Sequence, residues 1–492
     1  YNMKFFLRRL SHCLVICLLL FLFFEHAFAN KCNNPGNSII GLWEATLTDD
    51  GTEMIMVLDI HASDDDSLEC TLDITDFGFL NIPVGKIKLN DGNFTLPGFN
   101  GSYDADGQQI TGIFTSMGDK IVEFKRIESK PTFSFDYPEK EVDWTLETNS
   151  PIWSSLTVND GQLIFGNDAG KLYSINMDDL STSWIFSSES KIRSKALVKN
   201  NFVYFSSDDG YLYSIHFENG KLNWKAYIGN DASPRLVPAN EASTYDYLCS
   251  SPVIENGTIY VGSMDSSLYA INYMNGKIKW KYKTGNIIRS TPIVDSGNVY
   301  FGSWDNHLYA INLKNGSLEW KYDAGGSIQS SPAIIDNKVV FGSRSAFIIG
   351  LDKNSGDELW KTTYWGSWVE SSPVIYDGII YIGSSDFRKV HAINPENGKV
   401  ISSTRVEAWA WSTPALSEKY LFIGCAGTMF RNDIMHTSFY GINRQTGKIS
   451  WLVRAAENAD VFVYGFASSP TIWQDWVFFG GINGTVYGIK SD

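Results

Sequence analysis

The chain has 492 residues, a formal net charge of −15, and 43% hydrophobic and 14% aromatic residues. That apolar content excludes a disordered chain, and the acidic balance excludes a nucleic-acid binder that works by phosphate neutralisation. The 16 Trp, 24 Tyr and 42 Gly point to many strands joined by tight turns.

Residues 1–29 read as a signal peptide. Lys4, Arg8 and Arg9 form a basic head, residues 13–24 are an unbroken run of 12 apolar residues, and Ala27-Phe28-Ala29 supplies small residues at cleavage spacing. Cleavage is expected after Ala29, which makes the protein exported, periplasmic or extracellular. Twelve apolar residues fall short of the roughly 20 that span a bilayer. Cys32 and Cys70 share one segment and could form a disulfide in an oxidising compartment. Cys249 and Cys425 are expected to stay free. No CxxC and no His/Cys cluster occurs, so no metal site is expected.

Residues 30–127 carry alternating strands. Gly41-Leu42-Trp43-Glu44 opens the series, and further strands are expected at 54–60, 68–74, 85–89, 109–114 and 121–126. Asp/Asn/Gly turns at 64–66, 90–92 and 104–107 divide them. The pattern suits a small antiparallel β-barrel. It resembles the calycin-like domain, opening on G-x-W, that precedes hydrolase domains in some secreted bacterial proteins. Residues 128–140, with Pro131 and Pro138, read as a linker.

From residue 141 onward a phrase repeats. Ser250-Ser251-Pro252 is followed by Tyr260-Val261-Gly262-Ser263, then Leu268-Tyr269-Ala270-Ile271, Asn275-Gly276-Lys277 and Trp280. The first position of the S-S-P element falls at Ser154, Ser194, Ser250, Ser290, Ser330, Ser371, Ser412 and Ser468, at spacings of 40, 56, 40, 40, 41, 41 and 56. The closing Trp falls at Trp144, Trp184, Trp224, Trp280, Trp320, Trp360 and Trp451, with Ser402 in the place of another. Each unit holds four short β-rich runs, the signature of a propeller blade. These tryptophans are expected to wedge adjacent blades. The last copy ends without a fourth strand, and an orphan strand at 141–146 precedes the first copy. The orphan is expected to complete blade eight and hide two edges.

The repeat resembles the PQQ-like β-propeller repeat over residues 141–492. That family includes quinoprotein alcohol dehydrogenases and the propeller lipoprotein of the outer-membrane barrel-assembly machinery. The expected fold is therefore all-β, an eight-bladed β-propeller after a small antiparallel β-barrel.

Strand alternation assigns the loops to faces. With strands A to D numbered from the axis outward, A–B and C–D turns share one face, and B–C turns and D-to-A links share the other. The expanded segments 225–249, 425–437 and 452–467 all fall on the second face, where binding is expected. The residues just before each S-S-P ring the channel mouth there: Trp153, Arg193, Cys249, Arg289, Gln329, Glu370, Trp411 and Ala467. Trp304, Arg344, Trp365, Trp368 and Trp409 lie in neighbouring links or turns. Indole and guanidinium groups dominate interface hot spots, so this mouth is the candidate binding site. Plugging of the channel is the competing role for its tryptophans.

Three functions follow. The first is a non-catalytic scaffold of the cell envelope, a monomer that binds a protein or glycan partner through the loop-rich face and needs no cofactor. The second, implied by the resemblance, is a quinoprotein dehydrogenase using PQQ with Ca²⁺. That family carries an adjacent Cys-Cys pair, which is absent here, and Glu370 is the sole acid among the eight mouth positions. The third is a carbohydrate-binding module using Trp365 or Trp411. No G-x-S-x-G elbow, Walker loop or dinucleotide fingerprint occurs. The reading adopted is the first, with no nucleic acid and no membrane span.

Overall fold

The computed structural model describes residues 38–491 except 50–51, 64–66, 78, 105, 107, 116–118, 132–134, 230–245, 431–432, 435 and 456–462. The expected signal peptide and Cys32 lie outside the described residues. The chain forms two compact units, Tyr1–Ser134 and Phe135–Asp492.

The first unit is one antiparallel sheet of eight strands: β1 (Gly41–Asp49), β2 (Thr52–Ala62), β3 (Leu68–Ile74), β4 (Phe79–Ile87), β5 (Asn93–Leu96), β6 (Phe99–Asp104), β7 (Gln109–Phe114) and β8 (Lys120–Ile127). Its order is β4-β3-β2-β1-β8-β7-β6-β5. Pairing of the first strand with the last curls the sheet into a nearly closed barrel. Alternate residues point inward: Met54, Met56, Leu58 and Ile60 on β2, and Trp43, Ala45 and Leu47 on β1, are buried. Trp43 Nε1–H donates to the Ile39 carbonyl at 2.9 Å. The Arg126 guanidinium covers its ring at 4.3 Å and donates to the carbonyls of Ile40, at 2.8 Å, and Ser38. β5 and β6 were not expected from the sequence. Gly101 on β6 and Gly112 on β7 lie under the rings of Phe94 and Phe99, where a Cβ would collide. Cys70 is a free, buried thiol whose pKa burial pushes up to about 12.

The second unit contains eight four-stranded antiparallel sheets, each in sequential strand order except where noted below. Blade four shows the plan: Ile293–Asp295, Asn298–Gly302, His307–Asn312 and Leu318–Asp323. The repeated residues now have reasons. Ser290 Oγ donates to the Gly302 carbonyl at 2.9 Å and accepts the Gly302 N–H at 2.8 Å. This pins the entry to strand A against the end of strand B. Ser154 with Gly166, Ser412 with Gly424 and Ser468 with Gly480 repeat the clamp. The Asp of the B–C turn accepts the Tyr hydroxyl of strand C in Asp305–Tyr309, Asp265–Tyr269 and Asp209–Tyr213, at 2.6–2.7 Å. Asn256 and Gly257 both take positive φ, 45° and 72°, as a tight hairpin turn requires.

The closing tryptophans do join blades. Trp184, Trp224, Trp280, Trp320 and Trp360 each donate Nε1–H to a C–D turn carbonyl of the next blade: Phe217, Tyr273, Leu313, Lys353 and Pro395, at 2.8–3.2 Å. The ring closes as expected. The orphan strand, β9 (Trp144–Glu147), pairs with Thr485–Lys490 in the register Gly488↔Trp144 to Thr485↔Glu147, and is the fourth strand of blade eight. Blade seven takes its third strand, Ser438–Asn443, after the inserted segment.

The stretch expected as a linker divides between the units. Lys130 bonds Asp73 and Asn81 of the barrel, each at 2.9 Å. Phe135 and Tyr137 pack on the core shared by blades six and seven. Lys140 N–H donates to the Leu452 carbonyl and Leu452 N–H to that of Pro138. Arg454 ties this strap down by reaching Glu139, the Phe135 carbonyl and Glu407 together.

Candidate functional site: the propeller hub

All three expanded segments meet on one face, at the hub. The described part of the first delivers Asp246, Tyr247 and Leu248. The second forms a strand, Ala426–Phe430, that pairs with Val463–Gly465 of the third in the register Ala426↔Gly465 to Thr428↔Val463. Trp409 exchanges two backbone hydrogen bonds with Ala426, both at 2.9 Å. One apolar cluster results: Trp153, Tyr247, Trp409, Trp411, Ala426, Val463, Ala467 and Ile482, with Leu248 against it.

Tyr247 is its centre. The ring stacks on Trp411 at 4.5 Å and tilts against Trp153 at 5.5 Å, and Trp411 stacks in turn on Trp409 at 4.5 Å. The Tyr247 hydroxyl crosses the mouth and donates to Glu370 Oε2 at 3.0 Å. Burial and the Glu370 charge hold this phenol far above its ordinary pKa, so it stays protonated and keeps donating. Trp409 and Trp411 donate their Nε1–H groups to Asp386 Oδ1 and Ser385 Oγ, both at 3.0 Å. Burial raises the Asp386 pKa, opposed by Arg388 and the Trp409 hydrogen bond.

The charged mouth residues pair among themselves. Arg193 grips Asp168 with two bonds of 2.7 and 2.6 Å and lies over Trp153 at 5.0 Å. Arg289 grips Asp246 in the same way, at 2.7 and 2.6 Å, with both side chains buried. Glu370 receives Arg344 Nε on one oxygen and Gln329 Nε2 on the other, each at 2.5 Å. The Arg344 guanidinium sits between Trp304, at 4.7 Å, and Trp368, at 4.5 Å. The two-pronged grips of Arg193 and Arg289 and the stacked guanidinium of Arg344 are strong forms of ion pair.

The structure thus gathers the residues expected at the mouth, and buries most of them. Trp153, Arg289, Trp304, Gln329, Glu370, Trp409 and Trp411 are buried, while Arg193, Arg344, Trp365 and Trp368 are partly accessible. Their charged groups pair within a plug in which the indole N–H of Trp304 has no hydrogen-bond partner among the described residues. Cys249 meets Ser206 Oγ at 3.4 Å, and Cys249 and Cys425 are both free. Sequence reasoning missed Tyr247 and the acids Asp168, Asp246 and Asp386. Asp168 and Asp386 occupy B–C turns beside the mouth, so following each arginine to the nearest turn acid could have found the first. Asp246 and Tyr247 lie in an unrepeated insertion that gives no positional signal. Among the described residues no His/Cys/Asp/Glu group could hold a metal ion.

The model of the family described as outer membrane protein assembly factor BamB matches residues 109–237, 239–367 and 344–492. Among solved structures, the chain is similar to BamB from Moraxella catarrhalis at a TM-score of 0.53 and 16% identity, over 71% of this chain and 96% of that one. The computationally designed Ika8 protein gives 0.56 and 13%, over 72% and 99%. Quinohemoprotein alcohol dehydrogenase from Comamonas testosteroni gives 0.56 and 12%, over 71% and 76%. At these identities the likeness is one of fold. No curated protein matches the chain.

Proposed function

The chain belongs to the PQQ-repeat propeller family described as outer membrane protein assembly factor BamB, and from that premise we propose that it is an exported, non-catalytic scaffold of the cell envelope. It binds a protein partner through the face that carries its three expanded segments. The observation that carries this reading is their convergence: two of them build a shared sheet and the third seals the hub with Tyr247. A sealed hub turns the rim above it into a rigid platform, the arrangement in which loops recognise partners.

The packing of the hub also supports a reading without a quinone. A planar cofactor would need the space that Tyr247 fills between Trp411 and Trp153. A calcium ion would need several acidic or amide oxygens, and both oxygens of Glu370 already serve Arg344, Gln329 and Tyr247. Sugar binding through Trp365 or Trp411 would need an open indole plate; Trp411 is stacked on Trp409 and buried, and Trp365 is only partly accessible.

The test is site-specific photo-crosslinking in the envelope fraction of the native host. Probes at Asn286 and Trp365 lie on the loop-rich face, and probes at the exposed turn residues Asn275 and Asn315 lie on the other. The reading expects one defined adduct from the first pair and none from the second. Adducts from the tight-turn pair alone, or from neither pair, would overturn it.

A further inference from the structure

A second feature lies beneath the plug, in the wall of the central channel. The position two residues past each mouth residue is Ser155, Lys195, Ser251, Thr291, Ser331, Ser372, Thr413 and Ser469. Seven of the eight are hydroxyl residues and one is a lysine. By strand rise this layer sits roughly 6–7 Å below the mouth.

The hydroxyls are used in one sense only. Ser251 Oγ accepts the N–H of Lys195 at 2.8 Å, Thr291 Oγ1 that of Ser251 at 3.1 Å, Ser331 Oγ that of Thr291 at 2.8 Å, Ser372 Oγ that of Ser331 at 2.9 Å, and Ser469 Oγ that of Thr413 at 3.0 Å. Each hydroxyl accepts from the blade before it. A hydroxyl that accepts still has its own proton to give. Among the described residues none of these five donates to a protein acceptor. Four of the five, Thr291, Ser331, Ser372 and Ser469, are partly accessible. Their remaining outlet is the channel.

Lys195 is solvent-exposed, yet protein surrounds it closely enough that burial lowers its pKa. A side chain in a narrow, water-filled pore satisfies both facts. Its ammonium has no ion-pair partner among the described residues. The nearby acids of the mouth are engaged: Asp168 by Arg193, Asp246 by Arg289, Glu370 by Arg344. A half-desolvated, unpaired ammonium is unfavourable, and the other seven blades avoid it.

We propose that the channel is an anion site, in which Lys195, set in this layer of hydroxyl residues, holds a small oxyanion of phosphate size. The ammonium supplies the charge, and a hydroxyl within its reach can add a donor to the anion. Entry is from the tight-turn face, since Tyr247 and Trp411 close the other. The site is separate from the rim platform and does not depend on that reading.

The experiment is calorimetric titration of the full chain with inorganic phosphate, repeated on Lys195→Ser and Lys195→Arg. Lys195→Ser installs the residue type of the other blades, so it should keep the urea midpoint of the parent. The expected result is saturable binding in the parent, a loss of roughly tenfold or more in affinity in Lys195→Ser, and retention in Lys195→Arg. If Lys195→Ser fails to fold, Lys195→Gln replaces it. No saturable binding to the folded parent, or equal binding by the lysine-free variant, would overturn the site.

Discussion

Tyr247 lies face to face on Trp411, ring centroids 4.5 Å apart and planes within 12° of parallel, although 164 positions separate them in the chain. The contact joins the insertion before blade three to the mouth of blade seven. It also places the phenol where it can hydrogen-bond Glu370 of a third blade. One side chain therefore ties three sectors of the ring across its axis.

Removing that ring should be felt globally. Tyr247→Ala is expected to cost about 3–5 kcal/mol, the range for deleting a large buried aromatic. Tyr247→Phe keeps the stack and loses one hydrogen bond to a carboxylate, about 1.5–3 kcal/mol. Urea denaturation measures both, and equal losses for the two variants would show that the stack contributes nothing.

Closure of the ring gives a second expectation. Deleting residues 139–147 removes β9 and bares Thr485–Lys490, so the urea midpoint of the whole propeller should fall and aggregates should appear on gel filtration. Leu146→Asp, which places a charge in the core between blades eight and one, should act in the same direction. An unchanged midpoint for the deletion would contradict the pairing.

His391 predicts a pH dependence. Its ring is buried, Tyr364 hydrogen-bonds Nδ1 at 2.5 Å, and burial with the Lys389 charge lowers its pKa from 6.5 to about 3. Below pH 6.5 the unfolded chain takes up a proton that the folded chain refuses. Stability from this group is full above 6.5 and is lost as pH falls toward 3, at up to ~1.4 kcal/mol per pH unit. Urea midpoints measured from pH 7 to 5 should decline in the parent, and decline less steeply in His391→Gln. Identical slopes would rule out this residue as the source.

A fourth prediction concerns the glycine of the Y-V-G-S phrase. A Cβ on Gly302 would overlap the Ile328 side chain. Gly302→Ala should therefore cost about 1–3 kcal/mol by overpacking. Ile328→Ala leaves a cavity alone but makes room for the new methyl, so the double variant should be more stable than the sum of the single losses predicts. A double-mutant cycle reads the coupling directly, and strict additivity would mean that the strain is relieved elsewhere.

What the sequence made legible was whatever repeats. Eight copies in register reported blade number, strand order and face, because each short motif encodes one local constraint: a serine clamp, an Asn-Gly turn, a wedge indole. Counting strands even exposed the closure by Trp144–Glu147. Position in the repeat also named the mouth residues. It could not name Tyr247 or Asp246, since an insertion has no register to carry them to an address. Nor could it tell that Arg193, Arg289 and Arg344 would be consumed by neighbouring acids, which depends on side-chain reach across blades. In the barrel, β5 and β6 were hidden for a different reason. β5 has only 4 residues, β6 carries Asn100, Gly101 and Ser102 in succession, and Gly101 makes room for the rings of Phe94 and Phe99.

The composition of blade eight sets an order of events during synthesis. Trp144–Glu147 leaves the ribosome hundreds of residues before Thr485–Lys490, its only strand partner among the described residues. The earliest piece of the propeller thus waits unsheltered until Thr485–Lys490 has been made, and the circle can be sealed only then. Any chaperone that escorts this chain has that exposed ribbon to guard.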